Sequence, residues 1–96
     1  MYVRTALIRV SKERVEQVRK VYKEILLPGM RAYPGNVFAH CLVPVTLGEP
    51  WLVITGWKDR QVADTYGSSP EHDAFVAKVG PLLEPGTIYR QYQPIE

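Results

Sequence analysis

The alternation of apolar and polar residues changes its period along the chain, and each period predicts a type of secondary structure. Residues 2–10 intersperse β-branched and aromatic residues with polar ones, which predicts a first strand. Residues 36–43, 51–57 and 87–95 share this character and predict three more strands. Between the first two strands the apolar residues recur at helical spacing, which predicts an amphipathic helix. These residues are Val15, Val18, Val21, Tyr22, Ile25 and Leu26.

Proline and glycine residues set the expected limits of this first helix. Pro28 and Gly29 follow its last apolar positions, and we expect them to end the helix or to bend it. Residues 30–35 then form either a loop or a short helical extension, which Pro34 and Gly35 close.

A second helical region, in two parts, follows the third strand. Asp59 is an expected N-cap for the first part, which Gly67 interrupts. Ser69 is a second expected N-cap, with Pro70 at the first helical position, where the missing N–H of proline costs nothing.

The order of these elements predicts the fold. Gly80 and Pro81 end the last helix, residues 84–86 form a turn, and the fourth strand follows. The order strand, helix, strand, strand, helix, strand is the ferredoxin-like α+β arrangement. With right-handed crossovers, its four-stranded sheet is antiparallel and carries the helices on one face. Since 96 residues is the size of one domain, we predict a single domain over residues 1–96.

Both faces of the predicted sheet are apolar. In the second strand one face carries Val37, Ala39, Cys41 and Val43, and the other carries Phe38, His40 and Leu42. In the third strand Trp51, Val53, Thr55 and Trp57 lie opposite Leu52 and Ile54. A half-solvated antiparallel sheet has a polar face, and two helices cover only one side. We therefore expect a homodimer whose sheets pack face to face; a few exposed apolar side chains are the alternative.

Composition excludes several classes of function. The net charge of +2 is small and the basic residues are dispersed, so we expect no nucleic-acid partner. No apolar stretch reaches about 20 residues, and the N-terminus lacks an apolar leader, so we expect no membrane association. Cys41 is the single cysteine, which favours a reducing cytoplasmic location and a buried, inert thiol. Besides Cys41, only His40 and His72 are candidate zinc ligands, so we expect no metal site.

Glu71, His72 and Asp73 form a triplet that resembles a catalytic or metal-binding motif. They occupy the first turn of the predicted last helix, where acidic residues meet the positive end of the helix dipole. Adjacent positions on a helix diverge by about 100°, so the three side chains cannot converge on one atom. His72 alone remains a candidate for lining a pocket, with a surface or capping role as the alternative.

Three longer stretches carry a resemblance to a known family. They are YPGNVFAHCL (33–42), LVITGWKDRQVADTY (52–66) and SSPEHDAFVAKVGPLL (68–83). They resemble the antibiotic biosynthesis monooxygenase (ABM) family, with its Pro-Gly before the second strand, its strand ending in tryptophan and its Ser-Pro-x-His-x-x-Phe-like helix start. The resemblance covers essentially the whole chain. It implies a dimeric α/β barrel of ferredoxin-like protomers, with a ligand cavity between the sheet and the helices of each protomer.

The resemblance implies three alternatives for function. The first is a cofactor-independent monooxygenase that oxidises a quinol- or anthrone-type aromatic with O2; the sequence holds no flavin, nicotinamide or metal motif. The second is a non-catalytic dimer that binds a small ligand or has a regulatory role. The third is haem binding or degradation. The resemblance implies that this haem-degrading branch uses an asparagine in the first strand, a tryptophan in the second helical region and a histidine later in that region. In this chain the first strand has no asparagine, Tyr66 stands in place of the tryptophan, and Lys78 or Val79 stands in place of the histidine.

The candidate catalytic residues are Trp57, Tyr66 and His40. Trp57 would form a pocket wall and donate its indole N–H to a substrate oxygen, and Tyr66 would donate a proton or hydrogen bond to a quinol. His40 would act as a base. The structural alternatives are a core aromatic for Trp57, packing at the break of Gly67 for Tyr66, and a core or dimer-interface histidine for His40.

The candidate substrate-binding residues are Asn36, His72 and Arg90. Arg90, in the last strand, would bind an anionic substrate, with a cross-strand ion pair as the alternative. Asn36 opens the second strand just after Gly35, and its alternative is the role of a turn residue.

Overall fold

The computed structural model describes residues 1–95 and contains one four-stranded antiparallel sheet in the spatial order β2-β3-β1-β4. The strands are β1 (Tyr2–Arg9), β2 (Asn36–Leu42), β3 (Trp51–Trp57) and β4 (Glu84–Tyr92). The helices are α1 (Val15–Val21), α2 (Leu27–Ala32), α3 (Arg60–Gly67) and α4 (Pro70–Val79). This is the predicted ferredoxin-like α+β arrangement, and none of the helices described is long and apolar enough to cross a bilayer.

Of the two predicted alternatives at Pro28, the structure shows the helical extension: the first helical segment continues past this residue. A π turn, Tyr22–Leu26, joins α1 to α2, and the N–H of Leu27 donates to the carbonyl of Tyr22, five residues back. A proline inside an α-helix has no N–H to donate, and its ring meets the carbonyl four residues back. The wider turn just before Pro28 accommodates both effects, and the helical extension ends at Ala32.

Both predicted N-caps of the second helical region are confirmed. Asp59 Oδ1 accepts a hydrogen bond from the N–H of Val62 at 2.9 Å, at the start of α3. Ser69 Oγ accepts one from the N–H of His72 at 3.1 Å, at the start of α4. These bonds fix where α3 and α4 begin, and therefore which side chains of each helix point at the sheet.

The predicted turn at residues 84–86 is wrong, because these residues begin β4. Gly86 has a φ of 104°, and the pairing of β1 with β4 changes register between Leu7 and Arg9. The signals in Pro85 and Gly86 therefore mark a bulge within the edge strand rather than a turn before it.

The sheet has one face against the helices and one face away from them. In β3 the predicted set Trp51, Val53, Thr55 and Trp57 is buried on the helix side. Ala39 pairs with Thr55 and shares this side, whereas Val37 is 56% exposed because β2 has a bulge between Asn36 and Phe38. The outer face carries Phe38, His40, Leu42, Leu52 and Ile54.

Two glycines with positive φ, Gly35 (90°) and Gly48 (87°), provide a matched test of how the loop before β2 packs against α3. A Cβ at Gly35 would lie 2.5 Å from Cγ1 of Val62, whereas a Cβ at Gly48 would meet nothing within 4 Å. We expect Gly48→Ala to lower the free energy of unfolding by about 1 kcal/mol through the backbone alone. Gly35→Ala adds a steric clash and is expected to cost about 2–5 kcal/mol in total. Urea denaturation measures both values, and equal losses would contradict the packing of α3 on Gly35.

Candidate functional site

A cavity of about 380 Å³ lies between the sheet and the helices. Its floor comes from β1, β3 and β4, and its roof from α3, α4 and the segment around the π turn. Its wall includes the aromatic residues Tyr22, Trp57, Tyr66, Phe75 and Tyr89. Its polar side chains include Arg4, Thr55, His72, Glu84 and Thr87. A mostly apolar wall with a few polar groups is typical of a small-molecule site.

Four of the aromatic residues of the wall and the imidazole of His72 contact one another in an unbroken series. Trp57 and Tyr66 stack with ring centroids 4.7 Å apart and an interplanar angle of 27°. Tyr66 meets His72 edge-on at 5.4 Å, and His72 stacks on Phe75 at 5.9 Å. Phe75 in turn meets Tyr22 edge-on at 5.9 Å. The caps of α3 and α4 bring these rings together, since Tyr66 comes from α3 and both His72 and Phe75 come from α4.

Trp57 is a wall of this cavity, but its indole N–H is already bonded. Trp57 is 1% exposed, and its Nε1 donates to Thr55 Oγ1 at 2.9 Å. The Thr55 hydroxyl donates to the backbone carbonyl of Arg4 at 3.3 Å. The indole hydrogen is therefore held within the protein, and this geometry does not support the predicted donation from Trp57 to a substrate.

Arg4 is a cavity residue that the sequence analysis missed. Its Nη1 donates to the carbonyl of Ala63 at 2.8 Å, and its Nη2 pairs with the carboxylate of Asp64. Asp64 also lies 3.6 Å from Nε of Arg60. These partners hold the guanidinium beneath α3. A signal was present: Arg4 is a charged residue at an inward position of β1, between the inward-facing Tyr2 and Ala6.

Burial sets the protonation of three groups in the wall. Burial, with a smaller contribution from the carboxylate of Glu71, raises the pKa of Tyr66 to about 12. It also raises the pKa of Tyr22 well above its usual range. The pKa of His72 is lowered, mainly by burial; Asp73 opposes this change and Arg4 adds to it. Near neutral pH the site thus presents two protonated phenols and a neutral imidazole.

Three predicted site residues lie outside the cavity. His40 is exposed on the outer face of the sheet, where it pairs with Ile54 and stacks on Phe38 at 5.8 Å. Asn36 donates from Nδ2 to the carbonyls of Phe38 (3.1 Å) and Gly56 (3.3 Å), which stabilises the bulge of β2. Arg90 is exposed on the outer face opposite Thr5. The cavity therefore brings together Trp57, Tyr66 and His72 from the predicted set.

The remaining candidate ligands are dispersed. Of Glu71, His72 and Asp73, only His72 is half-buried, and the other two are exposed. Cys41 is half-buried on the helix side of β2, and burial raises the pKa of its thiol to about 11. Within residues 1–95, no three His, Cys, Asp or Glu side chains come together in a group that could hold a metal ion.

The lowered pKa of His72 predicts a pH dependence of folding. An unfolded histidine has a pKa of about 6.5, so below that pH the unfolded chain binds a proton that folded His72 resists. The free energy of unfolding is expected to fall as the pH drops from about 6.5 through the lowered pKa, and this contribution is constant above that range. Urea denaturation between about pH 5 and pH 8 measures the change. His72→Gln should remove this pH dependence, and the matched variant His40→Gln should keep it; an unchanged slope in His72→Gln would contradict the burial of the imidazole.

Solved structures with the same fold extend over the whole chain. An antibiotic biosynthesis monooxygenase aligns with a TM-score of 0.85 at 17% identity, covering 100% of both chains. A protein from Nitrosomonas europaea, assigned to the same family, aligns with a TM-score of 0.83 at 16% identity, again covering 100% of both chains. The heme-degrader MhuD from Mycobacterium tuberculosis, solved with two hemes bound in its active site, aligns with a TM-score of 0.81 at 18% identity, covering 100% of this chain and 97% of that one. At these identities the likeness establishes the fold.

Comparison with curated protein sequences finds no match. The sequence profile of the family described as antibiotic biosynthesis monooxygenase matches residues 1–78, which include β1 to β3 and almost all of α4. The match covers most of the chain and agrees with the stretches that carry the resemblance. The chain belongs to the antibiotic biosynthesis monooxygenase family.

Proposed function

We propose that this protein is a monooxygenase that oxidises a flat, electron-rich aromatic of the quinol or anthrone class with O2, using the substrate itself as the source of electrons. The observation that carries the proposal is the aromatic-walled cavity, which holds a neutral imidazole beside two protonated phenols and a guanidinium. Membership of the ABM family supports the reaction class. The volume of about 380 Å³ suits a substrate of a few fused rings.

The first step is removal of a proton from the substrate by His72. Its imidazole is neutral near physiological pH because burial lowers its pKa, so it is ready to accept a proton. The stack on Phe75 and the edge contact with Tyr66 fix the orientation of the ring. Tyr66 and Tyr22 remain protonated and act as hydrogen-bond donors to the phenolate or enolate that forms.

The charge of this anion is stabilised by Arg4. Its guanidinium lies in the cavity wall and is restrained by Ala63 and Asp64, so little reorganisation is needed when negative charge develops. Apolar and aromatic side chains around the substrate exclude bulk water, which strengthens each of these interactions.

The second step is transfer of an electron from the anion to O2. The resulting substrate radical and superoxide combine to a hydroperoxide, which loses water to leave a carbonyl group. For an anthrone, one oxygen atom becomes the new carbonyl oxygen and the other leaves as water with the two hydrogens of the methylene group. The substrate supplies all four electrons. The protein supplies the base, the anion stabilisation and the dry, flat site.

Oxygen consumption by the purified protein with anthrones and naphthohydroquinones tests the proposal. We expect saturable consumption above the spontaneous rate, and a rise in kcat/KM with pH through the lowered pKa of His72. His72→Gln should lower kcat/KM by about 10²–10⁴-fold, as expected for loss of a general base. The matched variant His40→Gln should retain activity, because His40 lies on the opposite face of the sheet.

Two other results would point to the alternatives. Saturable binding of these aromatics without oxygen consumption would indicate a non-catalytic ligand-binding protein. A stoichiometric Soret band on titration with haemin, lost in His72→Gln, would indicate the haem function that the heme-degrading relative raises. An equal activity in His72→Gln and His40→Gln would sink the assigned role of His72.

We also propose that the protein is a homodimer joined through the outer face of the sheet. Apolar residues there remain exposed in one protomer: Leu42 (51%), Ile88 (40%) and Tyr92 (51%). They surround a groove whose lining includes Val3, Leu7, Leu52 and Ile54. A second copy of the same face would cover this surface and would also cover His40 and Arg90.

Light scattering at micromolar concentration tests the dimer. We expect the mass of two chains for the parent protein and of one chain for Ile54→Glu, because the new carboxylate would be buried without a partner. Ile25→Glu, an exposed apolar position on the helical layer, should remain dimeric. A monomeric parent protein would contradict this interface.

A further inference from the structure

The aromatic series of the cavity has a branch that leads to the protein surface. Tyr33, which follows α2, meets Tyr66 edge-on at 5.0 Å and Trp57 at 6.2 Å. Tyr33 is half-buried and lines a surface groove together with Asp64, Thr65, Ser68, Ser69, Pro70 and Glu71. Trp57 and Tyr66 line the cavity and Tyr33 does not. The three rings therefore connect the cavity with a polar, acidic groove on the outside.

We propose that Trp57, Tyr66 and Tyr33 form an electron relay that carries one-electron oxidising equivalents out of the cavity to the surface groove. The relay rests on the proposed reaction with O2 for its purpose, since that chemistry passes through radicals. Indole and phenol are the side chains, besides thiols, that are most readily oxidised by one electron. Here they are in ring contact at each step, so electron transfer between them needs no movement of the backbone.

From Tyr66, electron transfer is easier with Tyr33 than with His72, which Tyr66 also contacts. On the other side of Tyr66 the next rings are His72 and Phe75, which are much harder to oxidise than tyrosine, before Tyr22 is reached. Trp51, the other tryptophan, lies six positions along β3, roughly 20 Å from Trp57. The ring contacts of Trp57 are with Tyr66 and Tyr33, so an oxidised Trp57 can be reduced by Tyr33 either directly or through Tyr66. Tyr2, the cross-strand partner of Trp57, is a further buried phenol beside it and does not line the surface groove of Tyr33.

The groove supplies a proton acceptor for Tyr33, the last residue of the relay. A tyrosine that loses an electron also loses its phenolic proton, so it needs a proton acceptor. Asp64 and Glu71 carry carboxylates in the same groove as Tyr33, with solvent beside them. Tyr66 lies inside the wall, where burial raises its pKa to about 12 and opposes loss of its proton. The radical is therefore expected to be located on Tyr33.

When superoxide leaves the cavity before it combines, the substrate radical adds a second O2 and becomes a peroxyl radical. This peroxyl radical takes one electron from Trp57 and one proton from water, and becomes a hydroperoxide. Trp57 is restored by an electron from Tyr33, directly or through Tyr66. Tyr33 releases its proton to the groove and becomes a neutral tyrosyl radical. A hydrogen atom from an external thiol or ascorbate-type reductant then regenerates tyrosine.

Laser flash photolysis tests the relay without substrate or turnover, so its outcome is independent of the proposed activity. In a Trp51→Phe background, Trp57 is the single tryptophan, and ultraviolet photoionisation oxidises it directly. We expect the visible band of the tryptophan radical to be replaced by that of a tyrosyl radical, in a first-order process independent of protein concentration. Tyr33→Phe, which removes one hydroxyl, should slow this replacement by roughly tenfold, a rise of about 1.4 kcal/mol in the activation barrier.

The matched controls are Tyr89→Phe and Tyr92→Phe, which remove a hydroxyl from exposed tyrosines outside the relay and should leave the rate unchanged. A nitroso spin trap followed by peptide mass mapping should locate the radical on Tyr33. A rate that is unaffected by Tyr33→Phe, a second-order decay, or an adduct on Tyr66 alone would overturn the relay.

Discussion

The stack of Trp57 on Tyr66 is the contact on which the rest of the structure depends. Trp57 ends β3, and the bond from its indole N–H to Thr55 fixes the ring against the sheet. Tyr66, near the end of α3, lies on that ring and so sets the height of the second helical region above the sheet. His72 and Phe75 then follow from α4, because the Ser69 cap begins that helix three residues after Tyr66. One aromatic pair thus joins the sheet to the helices and forms the wall of the cavity.

The fold could be predicted from the sequence because local signals agreed with one another. Alternation in β3, the caps at Asp59 and Ser69 and the order of elements all pointed to one topology. Two irregular points have local physical causes: the helical extension past Pro28, which was one of two predicted alternatives, and the start of β4 at the predicted turn. The π turn just before Pro28 accommodates the proline, so the helix continues. Gly86 adopts a positive φ at a bulge inside β4, so the chain does not turn there. Proline and glycine mark an irregularity in sequence, but only the tertiary structure decides whether the chain turns there.

The candidate site was predictable only in part. Trp57, Tyr66 and His72 stood out as residues that carry chemistry, and they do line one cavity. His40, Asn36 and Arg90 stood out equally, but His40 and Arg90 project from the other face of the sheet, and the amide of Asn36 is used by a bulge. Strand alternation separates the two faces without saying which one the helices cover. Arg4 shows that an inward charge in an otherwise apolar strand is the more useful signal, since a half-buried guanidinium needs partners that a structured site provides.

The π turn has a geometric consequence for the cavity roof. Tyr22, at its start, and Met30, in α2, both line the cavity although they are eight positions apart. In a regular α-helix, with roughly 100° per residue, eight steps would leave the two side chains about 80° apart. A π turn takes up one surplus residue, so the effective separation is seven steps and the two side chains differ by only about 20°. A homologue one residue shorter in this segment would keep the same roof with a regular helix, so the length of the first helix is free to vary by one position without loss of the cavity.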